Sequence, residues 1–212
     1  MRLTTRELAD RAAELAAEAS RTGRARILGI TGPPGAGKST LAAALTEALG
    51  AGTAVVVGMD GFHLSNAVLE ARGSRDRKGA VDTFDDAGYA ALIDRIADHA
   101  LDAPPLYAPE FRREIEEPVA AGTVVGAEPL VITEGNYLLV PDGAWPAARS
   151  RMAEVWYLDL PDAERLRRLV ARHHAFGKPL PDAETWAAGS DQRNAELIAT
   201  TRGAADLVVE WV

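Results

Sequence analysis

Nine residues, Gly32-Pro33-Pro34-Gly35-Ala36-Gly37-Lys38-Ser39-Thr40, fill every fixed position of the phosphate-loop pattern G-x-x-x-x-G-K-[ST], and nothing else in the chain constrains its fold as tightly. The apolar run Ile27-Leu28-Gly29-Ile30-Thr31 before it reads as a buried strand. Leu41 to Leu49 after it reads as a helix, ended by Gly50. A turn that matched by chance would lack one flank or the other. Glycines let such a loop curl until successive backbone N–H groups point inward at phosphate oxygens, and the following helix adds its positive end. Residues 32–40 are therefore the candidate ATP-binding segment. Lys38 is expected to reach the β- and γ-phosphates and the Ser39 hydroxyl to ligate Mg2+.

A chain of 212 residues can bury one core and carry a small insertion, so one domain spanning 1–212 is expected. A net charge of −8 leaves no basic footprint for nucleic acid. No apolar run reaches the roughly 18–20 residues that a membrane span needs. Glu7, Asp10, Glu14 and Glu18 rule out a signal peptide at the N-terminus, and the absence of cysteine fits a cytoplasmic protein.

Residues 4–22 read as an amphipathic helix flanking the domain (1–24), with a Thr4–Glu7 capping box and Gly23 as C-cap. Its apolar face packs on its own domain in the simplest use and offers a homodimer contact in another. Thr53 to Gly58 is a second buried strand, followed by Met59-Asp60-Gly61-Phe62-His63. Ligands in open α/β sheets bind beyond the carboxyl ends of strands, which puts Asp60 where chemistry occurs. Ser65 is the better cap for the short helix Ser65–Ala71, so capping does not account for Asp60. The loop 73–80, with Arg75, Asp76, Arg77 and Lys78, is open to substrate contact or to simple solvation, and a helix starts near Asp85. Residues 104–127 lack helical period and are punctuated by proline and glycine, which suggests a β-ribbon insertion.

Pro129 to Thr133 is a third buried strand, ending at Glu134. A carboxylate there, beside the phosphate loop, is expected to partner Mg2+. A fourth strand covers Glu154–Leu160. The region 162–180 then forms a helix with Arg165, Arg167, Arg168 and Arg172, ended by Gly177 and Pro179. So many arginines in an acidic protein suggest a lid closing over phosphates. More helix over 182–201 and a fifth strand over 205–211 complete the chain. Strands alternating with helices imply an α/β fold, a mostly parallel sheet covered on both faces.

Five blocks together carry a resemblance: GPPGAGKST, MDGFHLSNAVL (59–69), RKGAVDTFD (77–85), TEGNYLLV (133–140) and RLRRLVARHHAFGK (165–178). In this order they resemble the P-loop kinases grouped with uridine kinase, phosphoribulokinase and type I pantothenate kinase, over about residues 25–210. The resemblance implies a three-layer sandwich with a five-stranded parallel sheet in the order 2-3-1-4-5, a β-ribbon insertion and an arginine-bearing lid helix. It implies transfer of the γ-phosphoryl group of ATP to a hydroxyl of a small nucleoside-, pantothenate- or sugar-like molecule. By position Asp60 matches the catalytic base, Glu134 the acidic residue near Mg2+, and Arg168 and Arg172 the lid arginines that act with Lys38. The segment Pro109 to Arg113 resembles the ribbon's P-x-[FY]-D-[HR] stretch, with Arg112 where aspartate is common. Phe62, His63, Tyr107, Phe111, Arg113 and Tyr137 are the candidate acceptor-pocket residues. The rival reading is a regulatory nucleotide-binding ATPase with no acceptor. The absence of an N-K-x-D motif excludes its GTPase version.

Overall fold

The computed structural model describes residues 1–175 and 179–211, so Gly177, expected to help end the arginine-rich helix, lies outside the described residues. The chain opens with β1 (Arg2–Leu3), α1 (Thr5–Thr22), β2 (Arg26–Thr31), α2 (Lys38–Leu49) and β3 (Ala54–Gly58). After α3 (Asn66–Ala71) and α4 (Asp86–Ala97) come the ribbon strands β4 (Leu106–Arg112) and β5 (Glu117–Val125). The remainder is β6 (Leu130–Glu134), α5 (Trp145–Ser150), β7 (Glu154–Leu158), α6 (Asp162–Ala175), α7 (Leu180–Ala188), α8 (Ser190–Thr200) and β8 (Leu207–Trp211).

Among the described residues the main sheet is wholly parallel, in the order β3-β6-β2-β7-β8-β1. Counting only the five strands expected from the sequence, this order is 2-3-1-4-5. The sixth, β1, is too short to carry a period, and its pairing with β8 has no signal in the sequence. Alternation along the inner strands sends residues to two separate cores. Ile27, Val131, Val155 and Tyr157 face one side, where Tyr89, Leu92, Ile93 and Ile96 of α4 and Trp145 of α5 pack. Leu28, Ile30, Leu130, Ile132, Trp156 and Leu158 face the other, against Leu8, Ala12 and Ala16 of α1 and Leu41 and Leu45 of α2. The result is three layers.

Helix α1 begins as its sequence dictates: Thr4 Oγ1 accepts from the Glu7 amide, and Glu7 Oε2 accepts from the Thr4 amide. Its apolar face is buried against α2 and the sheet, so the homodimer contact suggested for that face is not available. No described helix is long and apolar enough to cross a membrane.

Strands β4 and β5 form an antiparallel ribbon apart from the main sheet. Its register slips between Ala108 and Glu110, at Pro109. Across that step β4 advances by two residues and β5 by four, so β5 bulges by two residues near Ala121, where φ is +57°.

Candidate active site

The register of the central strands brings three loops to one edge of the sheet. Glu134, at the end of β6, is level with Ile30 of β2 and with Gly58 of β3. The phosphate loop starts at Gly32, directly after β2, and Asp60 lies two residues past β3. Glu134 therefore sits between them.

The phosphate loop is tightly curled, with φ of +148° at Gly32, +86° at Gly35 and +97° at Gly37. A Cβ on Gly35 would stand 2.8 Å from Leu169 Cγ and 3.0 Å from the Arg165 carbonyl, so only glycine lets the loop lie against α6. Lys38 folds back over the loop, its Nζ donating to the carbonyls of Gly32 at 2.9 Å and Pro33 at 3.2 Å. The side chain is enclosed, and the residue is only 9% exposed. Burial pulls its pKa down to about 8, against the opposing pull of Glu134 and Asp60. A buried ammonium held only by neutral carbonyls, below helix amides that lack intrahelical partners, is a cradle that fits the phosphates of ATP.

Ser39 Oγ donates to Glu134 Oε1 at 3.0 Å. Burial raises the Glu134 pKa, and the Asp60 charge raises it further; Lys38 and the Ser39 hydroxyl act in the opposite sense. A hydroxyl and a carboxylate side by side are hard oxygen donors and fit Mg2+. Among the described residues no group of three or more His, Cys, Asp or Glu side chains could hold a metal ion. The protein thus offers part of a coordination sphere, which suits an ion that keeps water and phosphate ligands.

Asp60 lies in a short 3-10 turn, Met59–Phe62, with the ribbon directly above it. A Cβ on Gly61 would stand 2.3 Å from the Pro109 carbonyl, so the glycine after Asp60 is what lets β4 come down. The ribbon then delivers Arg113, whose Nη2 is 3.6 Å from Asp60 Oδ2. Both groups remain partly exposed and the contact is long, which makes it a weak pair. His63 stacks against Phe84, with ring centroids 4.0 Å apart, and against Phe111 at 4.8 Å; its Nδ1 is 2.8 Å from the Asp60 carbonyl. Burial holds its pKa below the ordinary histidine value.

These groups line one cavity of about 410 Å3. Of the candidates read from the sequence, Pro34, Lys38, Ser39, Asp60, His63, Phe111, Arg113, Glu134 and Arg172 face it. The Arg172 guanidinium is held below its ordinary pKa by the surrounding protein and by Arg113.

Phe62, Tyr107, Tyr137 and Arg168 do not line the cavity. Phe62 is buried in the core edge-to-face on Tyr89, at 5.3 Å. Tyr137 is wholly buried, and its hydroxyl donates to the Gly79 carbonyl at 2.6 Å. Tyr107 pairs with Val124, four residues along β4 from Phe111, and is 57% exposed, while its neighbour Ala108 is buried. Arg168 is drawn to Glu164 one turn back, with Nε to Oε1 at 2.8 Å, and lies beside Gly37. Arg165 departs from its helical companions altogether. It is fully buried, bound to Asp162 at 3.0 Å and to Gln192.

The sequence reading misses Trp186, Asp191 and Asn194, which α7 and α8 place in the cavity wall. Asp191 is only 9% exposed, yet in sequence it looks like any polar position of an amphipathic helix. Asn194 Nδ2 donates to the Gly79 carbonyl at 3.2 Å, beside Tyr137. The loop 75–80 contributes Arg75, Lys78 and Gly79 to the cavity wall.

The profile of the family described as "AAA domain" matches residues 28–186. A protein of Schizosaccharomyces pombe provisionally named a uridine kinase (C227.14) is 35% identical over 185 residues, covering 81% of this chain and 74% of its own. A crystal structure from Silicibacter sp. TM1040, provisionally named a fructose transport system kinase, is 35% identical with a TM-score of 0.79, covering 92% of this chain and 98% of its own. The Saccharomyces cerevisiae protein YFH7 shares the fold with a TM-score of 0.83 at 18% identity, over 99% of each chain. With its curled phosphate loop, 2-3-1-4-5 strand order and ribbon over the third loop, this chain belongs to the AAA-domain P-loop family and, within it, to the kinases grouped with uridine and type I pantothenate kinase.

Proposed function

We propose that this kinase transfers the γ-phosphoryl group of ATP to a hydroxyl of a small nucleoside-, pantothenate- or sugar-like molecule bound between Asp60 and the phosphate loop. One observation carries the reading: Lys38, the Ser39–Glu134 pair and Asp60 line a single cavity. The acceptor oxygen bonds to the γ-phosphorus as the bond to the β,γ-bridging oxygen breaks. ADP leaves with that electron pair, and the hydroxyl proton passes to the Asp60 carboxylate. Lys38 and Arg172 stabilise the charge that spreads over the transferred group. Ser39 and Glu134 would hold Mg2+, which when bound neutralises charge on the β- and γ-phosphates. His63 and Phe111 wall off the acceptor side, so that water does not compete for the phosphoryl group.

The test is an ADP-release assay over uridine and other nucleosides, pantothenate and sugars, with an acceptor-free control. Release that no acceptor accelerates would sink the reading. With a working acceptor, Asp60→Asn is expected to lower kcat by about 10^2 to 10^4-fold, the usual worth of a positioned base, while ATP still binds. Wild-type turnover in that variant would take the base assignment away from Asp60.

A further inference from the structure

One segment of the wall that faces the acceptor, residues 75–79, brings two cations, Arg75 and Lys78, to the cavity. The Lys78 side chain is only 7% exposed, and its Nζ donates to two uncharged oxygens, Asn66 Oδ1 at 2.7 Å and the Glu116 carbonyl. The Glu117 carboxylate stands 3.9 Å away and already accepts from the Asn66 amide through both oxygens, at 2.9 and 3.1 Å. Glu116 lines the cavity too; its carbonyl accepts from Lys78, and its carboxylate, like that of Glu117, favours the Lys78 charge. An enclosed ammonium whose ion pair spans 3.9 Å is only loosely compensated for its burial. Arg75 lines the same cavity, near enough to Lys78 to disfavour its charge. Among the described residues the Arg75 side chain has no hydrogen bond or ion pair. Arg113 adds a third cation, with its guanidinium 6.0 Å from the centre of the Phe111 ring.

The loop that carries this charge is fixed in place. Gly79 has φ of +99°, its carbonyl accepts from Tyr137 and from Asn194, and its amide donates to Thr83 Oγ1 at 3.0 Å. Lys78 is further set by the Phe111 ring, 5.3 Å from its Nζ. Gly79 and Lys78 are thus anchored, and Arg75, exposed at the cavity and, among the described residues, without a carboxylate of its own, is placed beside Lys78 to receive an anion.

We propose that the phosphoryl acceptor is itself an anion, a hydroxy acid or a hydroxyl-bearing phosphate ester, whose carboxylate or phosphate is held by Arg75 and Lys78 while Phe111 covers its carbon skeleton. The inference rests on the reading that the acceptor binds in this cavity. It narrows that reading by disfavouring unmodified nucleosides and free sugars.

The experiment uses matched probes that differ in one anionic group: pantothenate against panthenol, glycerate against glycerol, and ribose 5-phosphate against ribose, with uridine as the neutral base-bearing probe. Binding is measured by calorimetry and turnover by ADP release, for wild type, Arg75→Gln and Arg75→Lys. The first two pairs test a carboxylate and the third a phosphate. The expected result is that at least one anionic member binds tenfold or more tightly than its neutral partner. Arg75→Gln then raises its KM by about ten- to a hundredfold with little change in kcat, the pattern of lost ground-state binding, and Arg75→Lys restores most of it. Equal affinity within every pair, no binding of any anionic probe, or a preference that survives Arg75→Gln would overturn the inference. Tight, Arg75-dependent binding with no turnover would support the anion site and instead overturn the phosphotransfer reading. Fast turnover of neutral probes alone would do the reverse.

Discussion

The two ends of the cavity are built in different ways. The phosphate end is mostly backbone: a loop of nine consecutive residues, the first turn of α2, and one lysine lying on its own loop carbonyls. The acceptor end is mostly side chains, drawn from β3's loop, the segment 75–80, the ribbon and α8, which are spread over more than half the chain. A backbone cradle can serve every relative that uses ATP, because the phosphates never change. A wall of side chains from four segments can be altered one residue at a time, which is how a shared fold comes to act on different small molecules.

The strongest challenge to this contrast is Lys38→Met. If the phosphate end works as a unit around its lysine, kcat/KM should fall by about 10^3-fold or more, since the variant loses a cation aimed at charge that develops in the transition state. Acceptor binding, measured without nucleotide, should change less than threefold. Loss of acceptor binding in the same variant would show that the two ends are one site with no separable parts.

The same contrast explains how much of the molecule was legible in the sequence. The phosphate loop is local, so nine adjacent residues and their flanks suffice, and the strand order follows once the resemblance is admitted. Asp60 and Glu134 were readable because strand ends in a parallel sheet converge whatever lies between them. The acceptor end depends on non-local detail. Tyr107 fails as a pocket residue because it lies four residues along the ribbon from Phe111 and stays exposed, and alternation alone does not tell which end of a strand meets a cavity. Tyr137 fails because its ring is needed in the core and its hydroxyl for Gly79. Asp191 and Asn194 went unread because a polar residue on an amphipathic helix gives no sign of whether a second layer covers it. Arg165 shows the limit of periodicity from the other side: it shares spacing with Arg168 and Arg172, yet a neighbouring helix buries it completely.

A smaller effect sharpens the phosphate half alone. Lys38 titrates near 8 in the folded protein, against an ordinary value of 10.5. Below about pH 8 it is protonated in both states and the folded state bears the full burial penalty. Between about pH 8 and 10.5 the unfolded chain binds the proton that the folded chain has lost, so stability rises with pH across that window. The shift corresponds to roughly 3 to 4 kcal/mol. Urea midpoints of nucleotide-free wild type, taken as a difference from Lys38→Met, should climb across that range. A flat difference would mean that the ammonium is better solvated than its enclosure suggests.

The smallest effect probes how the acceptor wall is held. The Gly79 carbonyl accepts two bonds, from Tyr137 and from Asn194, and each alone is worth about 0.5–1.5 kcal/mol. Tyr137→Phe deletes a donor outside the cavity and leaves the ring in the core, so any kinetic change must pass through the loop. Its expected signature is a two- to fivefold rise in the acceptor's KM, with the KM for ATP within twofold of wild type. Asn194→Leu should do the same, and the double variant should exceed the product of the two, because the first loss leaves a carbonyl still satisfied and the second strands it. Exact multiplicativity would mean that the two bonds act independently rather than as one clamp on the Gly79 carbonyl. A parallel rise in the KM for ATP would mean that Gly79 serves both ends, and the division between a backbone cradle and a side-chain wall would have to be redrawn there.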